Sequence, residues 1–291
     1  MRKILGILLT LGLIGCQKEN PVVFETLTQS LNNDIAEINV QVAYPQKAEA
    51  LNNLRKQIAD LLIPNYQGNL ADGKALLKEF AEDKNNEMIK AMSEFGDDTS
   101  FKALYIVSIK EVAQTSQFVT MEKDAYIYTG GAHGVSEWDA ITLKKSDGKQ
   151  LDNILNSKVN SVKFKNLLKQ GVIAYFTQLK GAIDKCEFQP MAVQNELFED
   201  FSANDLPLPE QKPFLTDKGV GFVYMPYEIS WYSNGRIAFI LPYSEMKNYL
   251  REDVLKLLPK EDDNKIEAYI NEKTQAEYQK YLTQPEHKIC Q

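Results

Sequence analysis

The chain has 291 residues, with 33 basic and 40 acidic side chains and a net charge of −7. That length carries one large domain or two small ones with a proper core, and 44% hydrophobic and 10% aromatic content excludes a disordered chain. The acidic surplus repels polyanions, so no nucleic-acid partner is expected, and it suits a basic partner or none in particular.

The N-terminus reads as an address. Arg2 and Lys3 precede an apolar run from Ile4 to Ile14, then Gly15-Cys16. A basic start, a short apolar core and a small residue before a cut are the parts of a secretory signal. The run is too short for a bilayer, which takes roughly 20 apolar residues. Leu13-Ile14-Gly15-Cys16 matches the bacterial lipobox, so residues 1–15 are expected to be removed and Cys16 to be lipidated. Loss of Arg2 and Lys3, with no acid lost, takes the net charge from −7 to −9. Gln17-Lys18-Glu19-Asn20 has no aspartate directly after the cysteine, which places the lipoprotein at the outer membrane, facing the periplasm or the surface. Residues 16–34 read as the lipidated cysteine and a tether.

Ile38, Val40, Val42 and Tyr44 alternate within a strand over Ile35–Tyr44. Leu51, Leu54, Ile58 and Leu61 follow helical spacing, closed by Pro64, and a second helix spans Asp72–Phe95 with Leu77, Phe80, Met88 and Met92 inward. Three antiparallel strands follow, at Phe101–Ile109, Phe118–Thr129 and Ser136–Lys144, with Gly130-Gly131-Ala132-His133-Gly134 between the last two. A long helix covers Ser161–Ile183. Beyond the Pro-containing segment Leu206–Pro213, Phe214–Thr216 and Val220–Met225 read as a hairpin, and Tyr227–Tyr232 as a strand joined to Arg236–Leu241 through Asn234-Gly235. A short helix over Ser244–Leu250 and a charged one over Lys265–Leu282 complete the chain. The order gives an α+β fold in two parts, with mainly antiparallel sheets and packed helices: 35–157, 158–254, and a charged helical tail over 255–291.

Chemistry is sparse. With Cys16 committed to lipid, Cys186 and Cys290 either bridge, closing a loop of roughly 100 residues worth about 4–5 kcal/mol in the loop-entropy model, or stay as two free thiols. Neither has a histidine at ligand spacing, so no metal site and no cofactor are expected. Of the two histidines, His287 lies in the tail beside Lys288, and His133 sits among glycines. His133 is a weak catalytic candidate, a general base with Ser136 or Asp139 near it in sequence, or a ring that fixes the turn by bonding neighbouring backbone. Glu137, Asp139 and Glu228 are the acids that a glycosidase pair would draw on. Alternation after Pro226 assigns Tyr227, Ile229 and Trp231 to the core and turns Glu228 and Tyr232 outward. With Trp138 and His133, these form a candidate binding patch for a sugar or a protein.

Several motifs stand in a recognisable order: Tyr128-Thr129-Gly130-Gly131-Ala132-His133-Gly134, Asp147-Gly148-Lys149, Gly219-Val220-Gly221-Phe222-Val223-Tyr224, Pro226-Tyr227-Glu228-Ile229, and Pro242-Tyr243-Ser244-Glu245. Over roughly residues 35–250 the chain resembles the RsiV-like extracytoplasmic domain family, whose RsiV member is an anti-sigma factor that senses lysozyme. It is also similar to the N-terminal region of the peptidoglycan deacetylase PdaC. The sequence shows neither the cytoplasmic sigma-binding segment and membrane helix of such a sensor nor a separate deacetylase domain. The resemblance therefore implies a non-catalytic envelope lipoprotein that binds a basic, lysozyme-like protein or a peptidoglycan fragment. The alternatives are a cell-wall hydrolase using His133 and nearby carboxylates, and a structural lipoprotein. Fold resemblance alone does not transfer a ligand.

Overall fold

A computed structural model describes residues 21–46, 51–94, 101–183, 188–260 and 265–269. Cys16, Cys186, Cys290 and His287, and with them the lipidation and disulfide expectations, lie outside the described residues.

The first part is a five-stranded sheet in the order β1-β2-β3-β4-β5: Phe24–Asn32, Ala36–Pro45, Ala103–Gln114, Phe118–Tyr128 and Val135–Lys144. All neighbours are antiparallel except β2 and β3, which run parallel from Ala36↔Ala103 to Val42↔Ile109. That parallel pair needs a crossover, which α1 (Asn52–Leu62) and α2 (Gly73–Ser93) supply. Asp72 caps α2, its carboxylate accepting the Ala75 amide at 3.0 Å. Alternation in β2 sends Ile38, Val40, Val42 and Tyr44 to the helix side, where they pack with Leu54, Ile58, Leu77 and Phe80. The opposite face of β1–β3 carries Thr26, Thr28, Ser30, Asn39, Gln41 and Ser108 and is partly or fully exposed.

The second part is a smaller antiparallel sheet, β6-β7-β8-β9: Phe214–Leu215, Gly219–Tyr224, Ile237–Pro242 and Glu267–Ala268. The long helix α3 (Val162–Ile183) lies across it and buries Phe164, Leu168, Val172, Tyr175 and Phe176 against Phe222 and Phe239. Helix and strand approach so closely that a β-carbon on Gly171 would fall 2.1 Å from the Phe239 ring, which reserves that position for glycine. Short helices α4 (Tyr243–Met246) and α5 (Glu252–Leu255) close this core. Among the described residues, no helix is long and apolar enough to cross a membrane.

The outer faces of β4 and β5 receive the second sheet. Thr120 donates to the Leu215 carbonyl at 2.6 Å, and the Leu215 amide donates to the Thr142 hydroxyl at 3.0 Å. Trp138, Ala140, Phe214, Val223 and Ala238 form a small apolar cluster between the sheets. Charged groups flank it. Arg236 contacts Asp124 at 2.8 Å, and Glu122, 1% exposed, accepts the Tyr269 hydroxyl at 2.6 Å and lies 3.3 Å from the Lys110 ammonium. Burial, aided by the Glu122 charge, pushes the Tyr269 phenol well up.

Three sequence expectations change. The stretch 16–34, read as tether, contains β1, whose inner face is marked only by Leu27 and Leu31 and whose other positions after Phe24 are polar, as suits an edge strand. Tyr227–Tyr232 forms no strand, since Tyr227 has φ +70 and residues 232–234 are a 3-10 turn; β7 pairs with β8 directly, from Gly219↔Pro242 to Tyr224↔Ile237. The proposed helix over Lys265–Leu282 is extended where described: Glu267 and Ala268 pair with β8, and the Tyr269 amide donates to the Ala238 carbonyl at 2.8 Å.

Candidate functional site

Two loops, one from each part, meet beside the sheet joint. The first links β4 to β5. Gly130 and Gly131 hold φ of +111 and +89, values in the range that favours glycine. Two tyrosines of β4 brace this loop: Tyr128 donates to the Gly131 carbonyl at 3.1 Å, and the Gly134 amide donates to the Tyr126 hydroxyl at 3.1 Å. His133 is exposed at the tip, with Nδ1 2.9 Å from the Gly134 carbonyl, which selects a proton on that nitrogen.

The second loop links β7 to β8. It has no regular secondary structure beyond one 3-10 turn, yet it is densely tied. Both Glu228 oxygens accept backbone amides, of Glu210 at 2.7 Å and Met225 at 2.8 Å. Burial pushes the Glu228 carboxyl up and the two amides oppose that shift. Ser230 donates to the Glu196 carbonyl, Asn234 donates to Ser230 at 2.7 Å, and Tyr175 of α3 donates to the Asn234 carbonyl at 2.7 Å. Against this fixed frame, Tyr227 and Trp231 are 56% and 55% exposed.

The loops touch through rings. His133 stacks on Tyr232 with centroids 4.2 Å apart and planes 19° from parallel, and the Tyr232 hydroxyl reaches the Gly134 carbonyl at 3.4 Å. Tyr227 lies 5.6 Å from Tyr232, and Trp231 meets Phe198 edge-on at 4.6 Å. Phe198 is followed by Glu199 and Asp200, both exposed. The result is an aromatic row made of two ring groups, His133 with Tyr232 and Tyr227 across the junction and Trp231 with Phe198 beside it, and the exposed acids Glu199 and Asp200 follow Phe198 in sequence.

The structure thus redistributes the expected patch. His133 and Tyr232 come together. Trp138 does not join them: it is 6% exposed, packed 5.5 Å from Phe214, because its side of β5 is the side the second sheet covers. Glu228 braces the loop, both of its carboxylate oxygens accepting backbone amides. Tyr227 and Trp231, assigned to the core, are the exposed members, since the chain there is not a strand and alternation does not apply. The signal that marks them is Pro226, which breaks the preceding strand. Ser136 and Asp139 do not share a face of β5, and burial pushes the Asp139 carboxyl up. Among the described residues, no group of three or more His, Cys, Asp or Glu is placed to hold a metal. A separate cavity of 340 Å³ between Lys163, Leu167, Gln170, Pro242, Glu245 and Ile266 shares no residue with the aromatic row.

Comparison with known proteins follows this division. Residues 30–136 match the family model for "Deacetylase PdaC", and residues 165–244 match that of a "Protein of unknown function", DUF3298. No curated protein matches the chain. Among the crystal structures that share the fold are two DUF3298 family proteins. A DUF3298 family member from Bacteroides fragilis has a TM-score of 0.60 at 16% identity, covering 84% of this chain and 99% of its own. One from Pseudomonas aeruginosa has a TM-score of 0.52 at 15% identity, with the same coverage. The chain therefore has the two-part architecture of a PdaC-type region followed by a DUF3298 region, and its aromatic row takes one loop from each.

Proposed function

We propose that this chain is a non-catalytic, lipid-anchored lipoprotein of the cell envelope, held through Cys16 at the outer membrane, and that the aromatic row is its recognition surface. Its ligand is a basic protein of the lysozyme kind or a peptidoglycan fragment. The supporting observation is the exposure of Tyr227 and Trp231 on a loop whose backbone is fixed by Glu228, Ser230, Asn234 and Tyr175. Large rings held rigidly in water lose little freedom when a partner covers them, which is what an anchor residue requires. Glu199, Asp200 and the overall acidity speed encounter with a basic partner. The resemblance to the RsiV-like family supports the same reading.

The test is calorimetric titration of the soluble fragment without the lipid anchor, residues 17–291, with c-type lysozyme and separately with muropeptides, at physiological salt. Saturable binding at micromolar affinity or tighter to one of them, lost in Trp231→Ala, supports recognition at this surface. No heat from either at 100 µM, about −5.5 kcal/mol on the affinity scale, removes both ligands.

A further inference from the structure

Among the described residues, no strand pairs with the outer edge of β1, where the Ser30 carbonyl accepts only the side-chain amide of its neighbour Gln29 at 3.2 Å. The hydrogen bonds from Gln46 to Val23 and from Asn33 to Ala36 set the phase of the β1–β2 ladder. Odd-numbered residues of β1 bond to β2, so the amides and carbonyls of Phe24, Thr26, Thr28, Ser30 and Asn32 point away from the sheet. Such an edge is a template for another strand, and proteins that keep it single protect it with lysine, proline, a bulge or shortness. β1 has none of these, and its one charge is Glu25 near the start: it is nine residues long, contains no lysine or proline, and keeps unbroken register with β2 from Phe24↔Pro45 to Asn32↔Glu37.

We propose that this edge pairs with β1 of a second copy of the chain, antiparallel about a two-fold axis at Thr28. The strand is self-complementary in that register. Thr28 meets its own mate, Thr26 meets Ser30, and Phe24 meets Asn32, all through outward-pointing amides. Leu27 then faces Gln29, and Glu25 faces Leu31 rather than another Glu25. Thr26, Thr28 and Ser30 are exposed, small and uncharged, so no like charges oppose each other. An isologous contact of this kind closes at two copies and joins the two first sheets into one. An arbitrary extended peptide would gain the same main-chain bonds, but only the copy brings this side-chain match at no cost in ordering a loose segment. The contact is small, which makes the dimer weak and reversible.

The full chain, in detergent with micelles well in excess of protein, is weighed by sedimentation equilibrium from low micromolar to several hundred micromolar. The expected result is a mass that rises from one copy to two. Thr28→Lys, which sets two ammonium groups against each other on the axis, is expected to hold the mass at one copy throughout. Thr28→Val and Ser108→Lys, the latter on the same sheet face but away from the edge, should dimerise as the parent does. Thermal melts confirm that each variant is folded. A parent that stays single at every concentration overturns the proposal, and so does a dimer that Thr28→Lys leaves intact.

Discussion

The two tryptophans sit in opposite circumstances. Trp138 is 6% exposed and tilted against Phe214, closing the seam between the sheets; Trp231 is 55% exposed and edge-on to Phe198 at the rim of a loop. Each makes one good aromatic contact, and pairs of this kind contribute about 0.5–1.5 kcal/mol beyond their area. What separates them is what lies on the remaining surface of the ring. At the seam it is protein, so Trp138 holds the two parts together. On the loop it is water, and under the proposed function that exposed surface is what a partner would cover. The comparison separates stability from recognition, and mutation can test the separation.

The largest effect belongs to the seam. Trp138→Ala is expected to cost about 3–5 kcal/mol, the range for truncating a buried aromatic, read as a lower urea midpoint. Trp231→Ala should leave that midpoint within about 1 kcal/mol while weakening ligand binding by about 2 kcal/mol or more, some thirtyfold, by calorimetry. If Trp231→Ala instead unfolds the chain, the division of labour is wrong. Arg236→Gln, which strips Asp124 of its cation at the seam, is expected to cost about 1–3 kcal/mol, and a double-mutant cycle with Asp124→Asn should show the two changes to be non-additive. The smallest effect is a pH dependence. Burial raises the folded-state pKa of Asp139, so its ionised form is disfavoured in the fold. Its contribution is best below the ordinary aspartate range and is lost as pH rises through the raised value. Asp139→Asn should therefore help more at pH 7 than at pH 4, compared by thermal melts at the two pH values.

Alternation made β2 and β3 legible because those strands are covered on one face and their inner residues are apolar in turn. The same rule misplaced Tyr227 and Trp231. Their spacing is that of a strand, but Pro226 and the positive φ at Tyr227 turn the backbone, and the bonds that fix it come from Glu210, Glu196 and Tyr175, distant in sequence. Asn234-Gly235 does turn the chain, with Gly235 at φ +66, but at the end of a 3-10 turn and not in a two-residue hairpin. Trp138 was read as exposed because the strands that cover it, around Phe214 and Ala238, arrive far later in the chain. The charged periodicity after Lys265 suggested a helix, and pairing with β8 overrides it at Glu267 and Ala268. His133 was found from its glycine neighbours, but its partner Tyr232 lies 98 positions from the loop carbonyl they share.

The parallel pairing of β2 with β3 has a kinetic side. β1 with β2, and β3 with β4 and β5, are joined by short turns and can form locally, whereas the β2–β3 seam links residues separated by both helices of the crossover. Closing a long loop costs entropy before any contact repays it, and non-local pairing is slow for that reason. The first sheet is therefore expected to assemble as two units, the β1–β2 hairpin and the β3–β4–β5 meander, that dock last along this seam, with α2, which packs against β1, β2 and β3, laid over the join. In a chain emerging N-terminus first, the edge of β2 that will meet β3 waits unpaired until Ile109 has appeared. Through that interval the earliest-made third of the molecule depends on helices, or on a chaperone, to keep it from pairing with the wrong strand.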